Sequence, residues 1–180
     1  MLRTDKPIYK VILILNLLFI AAGVVFSIIG IANPDANATR IISSIMAIAC
    51  LVFAGFYILN GYTKDAAKYY KVFGALLAVK YLTGILSGTT NRSTPFGIMV
   101  ISLSLVIVLV LLLSENLGKT KSLVLCGLLV IIGVVDIVVH IKMDMSTYAL
   151  IAKLVKIDLA CLYGIMTYAK YLDKTERGTK

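Results

Sequence analysis

Apolar positions are not spread evenly along this chain. They fall into blocks of roughly 20 residues, the length at which an α-helix rising 1.5 Å per residue crosses the hydrocarbon core of a bilayer. Six blocks predict six helices, over residues 9–31, 40–60, 72–88, 96–114, 122–142 and 148–169. Turn formers separate them, as in ANPDANAT after the first block and around Asn91, Arg92 and Pro95 after the third. The third block is the shortest and the most broken by small residues. The fourth, with LVIVLVLLL at 105–113, is the most uniformly apolar, and is expected to face lipid over much of its surface. The longest connection, GYTKDAAKYYK at 61–71, lacks proline and is expected to continue the second helix as a short interfacial segment. Its Tyr62, Tyr69 and Tyr70 suit the headgroup belt and its lysines suit anionic lipid.

Short loops make sequential helices antiparallel neighbours. Ser43 with Ala47, Gly74 with Ala78 and Ala160 with Gly164 are small pairs one turn apart that let helix backbones approach. No convincing internal repeat is visible. The expected fold class is therefore all-α: a polytopic membrane protein with six transmembrane helices in one bundle, a single domain over 1–180.

Composition agrees. The hydrophobic fraction is 60% and the mean hydropathy +0.97, where a soluble domain has about 45–50% apolar residues. The net charge of +9 does not indicate nucleic acid, because the basic residues sit at the ends of apolar blocks rather than on one patch. They set orientation instead. With the N-terminus in the cytoplasm, 12 of the 18 Lys and Arg residues fall on the inner side, 3 on the outer side and 3 within spans. This positive-inside bias predicts both termini cytoplasmic. The expected location is a bacterial-type plasma membrane, with anionic lipid headgroups as partners at the cytoplasmic face. The apolar run at 11–31 is 21 residues, longer than a signal-peptide core of about 7–15, so it is expected to be a retained first span.

The candidate chemistry gathers at 133–158, GVVDIVVHIKMDMSTYALIAKLVKID, across the end of the fifth span and the start of the sixth. An ionisable side chain at the centre of a spanning helix costs roughly 2.5–3.5 kcal/mol on insertion scales. Asp136 lies about 9 Å in from the end of its span, and Lys153 about as far along the next, so the two are expected to pair. His140 is one turn from Asp136 on the same face; Lys156 is one turn from Lys153. Lys80 in the third span, about 12 Å deep, is near the level of Lys156. Asp158 is two residues from Lys156, roughly 200° around the helix, and so points away from the lysines. That places the sixth helix inside the bundle. Lys80 is a candidate partner for Asp158 if the third span packs on that side. Lys80, Asp136, His140, Lys153, Lys156 and Asp158 are the candidate ligand-binding residues. Three lysines against two aspartates leave one positive charge, which a bound anion or a lysine deprotonation would remove, with His140 able to add or withdraw another as pH changes. Tyr81, Thr83, Ser87 and Arg92 are further candidates for lining the same cavity, although helix-packing hydrogen bonds suit each of them alone better. Asn16 and Glu115 lie toward the inner side, outside this group.

Several chemistries lack support. Cys50, Cys126 and Cys161 are isolated, with no CxxC, so neither a dithiol motif nor a zinc site is indicated. A single histidine excludes multi-histidine metal sites. HExxH, GxSxG and the Walker-type GxxxxGK[ST] are absent, and no cofactor or metal is expected. Three functions compete. The first is a protein that binds or transports a small anionic or zwitterionic solute at the lysines. The second is a non-catalytic structural or accessory protein that scaffolds partners, such as a partner membrane protein, or senses lipid, and whose charges are structural ion pairs. The third is a membrane enzyme acting on lipid or quinone. In size, six spans and both termini inside, the pattern resembles the substrate-binding subunits of energy-coupling-factor vitamin transporters. The resemblance is architectural, and it implies solute binding. The alanine-spaced docking motif of that family on its first span has only a poor counterpart here, AAGVVFS at 21–27.

Overall fold

The apolar blocks form helices throughout the computed structural model, which describes residues 7–32, 38–59, 66–90, 95–114, 117–142 and 147–178. In chain order these are α1 (Pro7–Ala32), α2 (Ala38–Leu59), α3 (Ala66–Thr90), α4 (Pro95–Leu113), α5 (Lys119–Lys142) and α6 (Thr147–Gly178). Five of them, α1 to α5, are long and apolar enough to cross a membrane. Each predicted block lies within or against one of these helices. One boundary differs. The helix-forming residues from Ala66 open α3 rather than extending α2. Residues 60–65 and Tyr62 lie outside the described residues, as do Arg92 and Glu115.

Each helix packs against its sequence neighbours, and α6 also packs against α1, closing a ring. In addition α6 touches α2 and α3 across the bundle. It is therefore the central element. Large apolar side chains are exposed on every helix from α1 to α5, such as Leu18, Phe56, Leu86, Met99 and Ile131, whereas none of the described ones on α6 is. This distribution inverts what hydropathy alone suggests. The helix richest in charge is the one most enclosed, because charges must be met by protein groups while apolar side chains are at home in lipid.

α4 shows the same point from the other side. Uniform apolarity was expected to mark a lipid-facing helix. Met99, Leu103, Val106, Leu109, Val110 and Leu113 are indeed exposed, yet 39% of its apolar window is buried, against 22% each for α1, α2 and α5. Gly97, Val100, Ile101, Ser104, Ile107, Val108 and Leu111 recur every three or four residues and form its buried stripe. Lipid and protein interior are both apolar, so hydropathy does not distinguish them.

At the end of the bundle where α3 begins, aromatic contacts fix the register of four helices. Tyr70 stacks on Tyr163 of α6, with ring centres 4.9 Å apart, and its hydroxyl donates to the Leu111 carbonyl at the end of α4, 2.8 Å away. Lys170 lies over the Tyr70 ring at 4.0 Å. Tyr171 donates to the Leu117 carbonyl and meets the Ser122 hydroxyl at 2.9 Å. Tyr70 is thus fully buried and not in a headgroup belt, while Tyr69 packs between Phe53 and Tyr57. A tyrosine near a span end suits either setting; here α6 extends far enough to cover it.

Close backbone approach occurs where α5 meets α6. A methyl group on Gly133 would come within 2.6 Å of Ile157 Cγ1, whereas one on Gly127, a little under two turns earlier, would meet nothing within 4 Å. Gly133→Ala is therefore expected to destabilise the bundle by about 1–3 kcal/mol through overpacking. Gly127→Ala should be neutral or stabilising by up to about 1 kcal/mol. Reversible unfolding of both variants in mixed detergent checks the contrast.

Candidate functional site

The site is built where the second half of α5 lies antiparallel to the first half of α6. Gly133 lets the two backbones close on each other at Ile157, and that contact sets the level of the charged groups just beyond it. Asp136 is one turn past Gly133 and buried, 1% exposed. Its Oδ1 accepts from Lys153 Nζ, and its Oδ2 accepts from Lys156 Nζ at 3.2 Å. Lys153 and Lys156 are one turn apart, so a single carboxylate bridges two successive turns of α6. The two lysine side chains retain only 13% and 12% exposure.

The matching depth expected for Asp136 and Lys153 thus appears as a direct ion pair, and Lys156 joins it. His140 is buried one turn further along α5, on the face that carries Asp136. Lys80 is also buried. Its Nζ donates to Ser43 Oγ of α2 at 3.3 Å, and it is close enough to Lys156 for the two ammonium groups to repel. Lys80 is therefore the lysine whose hydrogen bond goes to a neutral group.

The expectation that Lys80 might meet Asp158 is not realised. Asp158 is on the opposite side of α6, as its helical phase requires. It faces α1 and α2: a Cβ built on Gly23 of α1 would run into its Oδ2, and would lie 2.8 Å from Leu51 Cδ2. Asp158 is buried, and no hydrogen-bond donor among the described residues reaches either of its oxygens. The six candidate residues consequently divide. Asp136, His140, Lys153 and Lys156 share the α5–α6 side with Lys80 near Lys156, while Asp158 stands apart.

Of the further candidates, Thr83 Oγ1 donates to the Lys80 carbonyl on its own helix at 2.9 Å, and Tyr81 is buried in the core. Asn16 donates to the Ile12 carbonyl at 2.8 Å. Ser43 was named in the sequence only as a small packing residue; its hydroxyl turns out to be the acceptor for Lys80. The signal was faint, since a serine near the start of a span packs or hydrogen-bonds with equal ease. Among the described residues, no group of three or more His, Cys, Asp or Glu side chains assembles that would hold a metal ion. Cys50, Cys126 and Cys161 are free thiols.

Helix number, length and composition define a multi-pass helical membrane protein. Compared with known proteins, the chain matches no family model, no curated protein and no solved structure.

Removing one partner of a buried ion pair leaves the other charge uncompensated, at about 3–5 kcal/mol. Asp136→Asn strands two ammonium groups and is expected to lower stability by at least about 3 kcal/mol. Replacing the triad together, as Asp136→Asn with Lys153→Met and Lys156→Met, should recover most of that loss. Unfolding of the single and triple variants under one set of conditions reads the difference.

Proposed function

We propose that this protein binds a small anionic or zwitterionic solute at the lysine side of α6, as a transporter or a transporter subunit. In this reading α6 is the sixth span and both termini are cytoplasmic, in a bacterial-type plasma membrane. The anion site then lies in the outer half of the bundle, and the basic residues at the inner ends of the spans meet anionic headgroups.

One observation carries the reading: one carboxylate, Asp136, serves two ammonium groups, and a third, Lys80, lies within repulsive range of Lys156. Among the described residues, no second carboxylate reaches these lysines. Surplus positive charge at low dielectric attracts an anion strongly. Asp136 would hold Lys153 and Lys156 in place while a solute carboxylate or phosphate supplied the missing charge.

A second reading draws on the same triad. Lys153 and Lys156 each reach Asp136 directly, which is what structural ion pairs in an accessory protein would do. Under it, the charge-free triple variant keeps full cellular function.

The two separate by ligand binding. Purified wild-type protein and Lys156→Ala should be melted against a panel of carboxylates, amino acids and inorganic phosphate. The solute reading expects saturable stabilisation of the wild type by at least one compound, weakened tenfold or more in Lys156→Ala, equivalent to about 1.4 kcal/mol. It fails if no compound stabilises the protein, or if the variant binds equally well.

A further inference from the structure

The acid on the first half of α6, Asp158, has no role in the lysine cluster, and its surroundings are of a different kind. Asp158 is 5% exposed, and both its oxygens lack a hydrogen-bond partner among the described residues. It presses on α1 at a position without a side chain, Gly23. The buried stripe of α1 is Ile12, Asn16, Gly23, Ser27 and Gly30, with no charge on it. The Asn16 amide nitrogen is engaged with Ile12, while Asn16 Oδ1 and Ser27 Oγ are buried without a partner. Among the described residues, the buried stripe of α1 therefore contains unpartnered oxygens and no cationic group.

Among the described residues, the helices packed against α6 offer Asp158 no counter-charge. On α1 the nearest lysine, Lys10, is 13 residues from Gly23, about 20 Å along the helix. On α2 the contact is Leu51; its neighbour Cys50 is a thiol in electrostatic range of Lys80, and Arg40 is about 16 Å away along that helix. On α3, Lys80 is held by Ser43. On α5, Asp136 and His140 belong to the opposite side of α6. On α6 itself, Cys161 is within electrostatic range of Asp158 and carries no positive charge.

A bare carboxylate in such a place costs several kcal/mol, and the usual outcome is that the group becomes neutral. A metal ion would need several oxygens converging on one point. Ser27 and Asn16 are about 6 and 10 Å along α1 from Gly23, too spread to share an ion with the carboxylate. The remaining cation that fits is a proton.

We propose that Asp158 is a proton-binding site on the α1–α6 interface, separate from the lysine cluster, and that loss of its proton loosens the packing of α1 against α6. The ionised form needs water or a counter-ion, and Gly23 leaves neither any room until α1 moves. The proton site does not rest on the solute reading. If both hold, α6 carries an anion site and a proton site on opposite faces two residues apart, and movement of that one helix links them.

The test is infrared spectroscopy of the full chain in lipid nanodiscs, with aspartate carboxyl groups labelled with carbon-13. The wild type is expected to show a labelled carboxylic-acid carbonyl band at neutral pH that disappears on alkaline titration, and Asp158→Asn is expected to lack it. Hydrogen exchange of α1 amides, corrected for intrinsic pH dependence, should accelerate over the same range in the wild type and not in Asp158→Asn. The proposal is overturned if the wild type has no such band at neutral pH, a result independent of whether the variant folds. It is also overturned if the band survives in Asp158→Asn, if sodium removes it at constant pH, or if α1 exchange does not follow the titration.

Discussion

A single buried carboxylate holding two lysines is the constraint on which the rest of the bundle depends. Asp136 sits on α5, and Lys153 and Lys156 sit one turn apart on α6. None of the three tolerates lipid. Satisfying them requires α6 to keep this face against α5 and the remaining helices to enclose it. The order of the ring follows: α5 and α1 flank α6, and α2 and α3 cross behind it. The apolar helices are freer, since their outward side chains are as well solvated by lipid tails as by protein. Packing and hydrogen bonds between helices, rather than hydrophobic exclusion, then select the arrangement.

The two faces of α6 solve different problems. On one, charge is met by charge, with a surplus of ammonium groups. On the other, a carboxylate is pressed against the bare backbone of Gly23 with no donor among the described residues in reach. Both depend on glycine: Gly133 brings α5 close at Ile157, and Gly23 brings α1 close at Asp158. Toward the end where α3 begins, the stacked pair Tyr70 and Tyr163 fixes α3 against α6, so the polar half is built on a rigid aromatic base.

Much of this was legible from the residues. Helix rise converts sequence position into depth, and depth alone paired Asp136 with Lys153. Helical phase put Asp158 on the far side of α6 and α6 inside the bundle. Azimuth was not legible: phase says which residues share a face, but not which neighbour that face meets. Hence Lys80 could be named as a partner for Asp158 only on the condition that the third span packs on that side, while the fold turns it to Ser43. The same limit hid the burial of Tyr70 and the buried stripe of α4, because neither a tyrosine near a span end nor a run of leucine and valine says which side lipid or protein covers. Gly23 carried no signal, since a close approach becomes visible only when the opposing side chain is in place.

The central claim is that the lysine side of α6 takes its missing negative charge from a small molecule. Native mass spectrometry of the full chain, released from detergent after equilibration with anionic metabolites, measures this most directly. The wild type should carry one small anionic adduct per chain, and Lys156→Ala should fly without it. Bare masses for both proteins, or equal adducts on both, would contradict the account and leave Asp136 and its two lysines as a structural clamp.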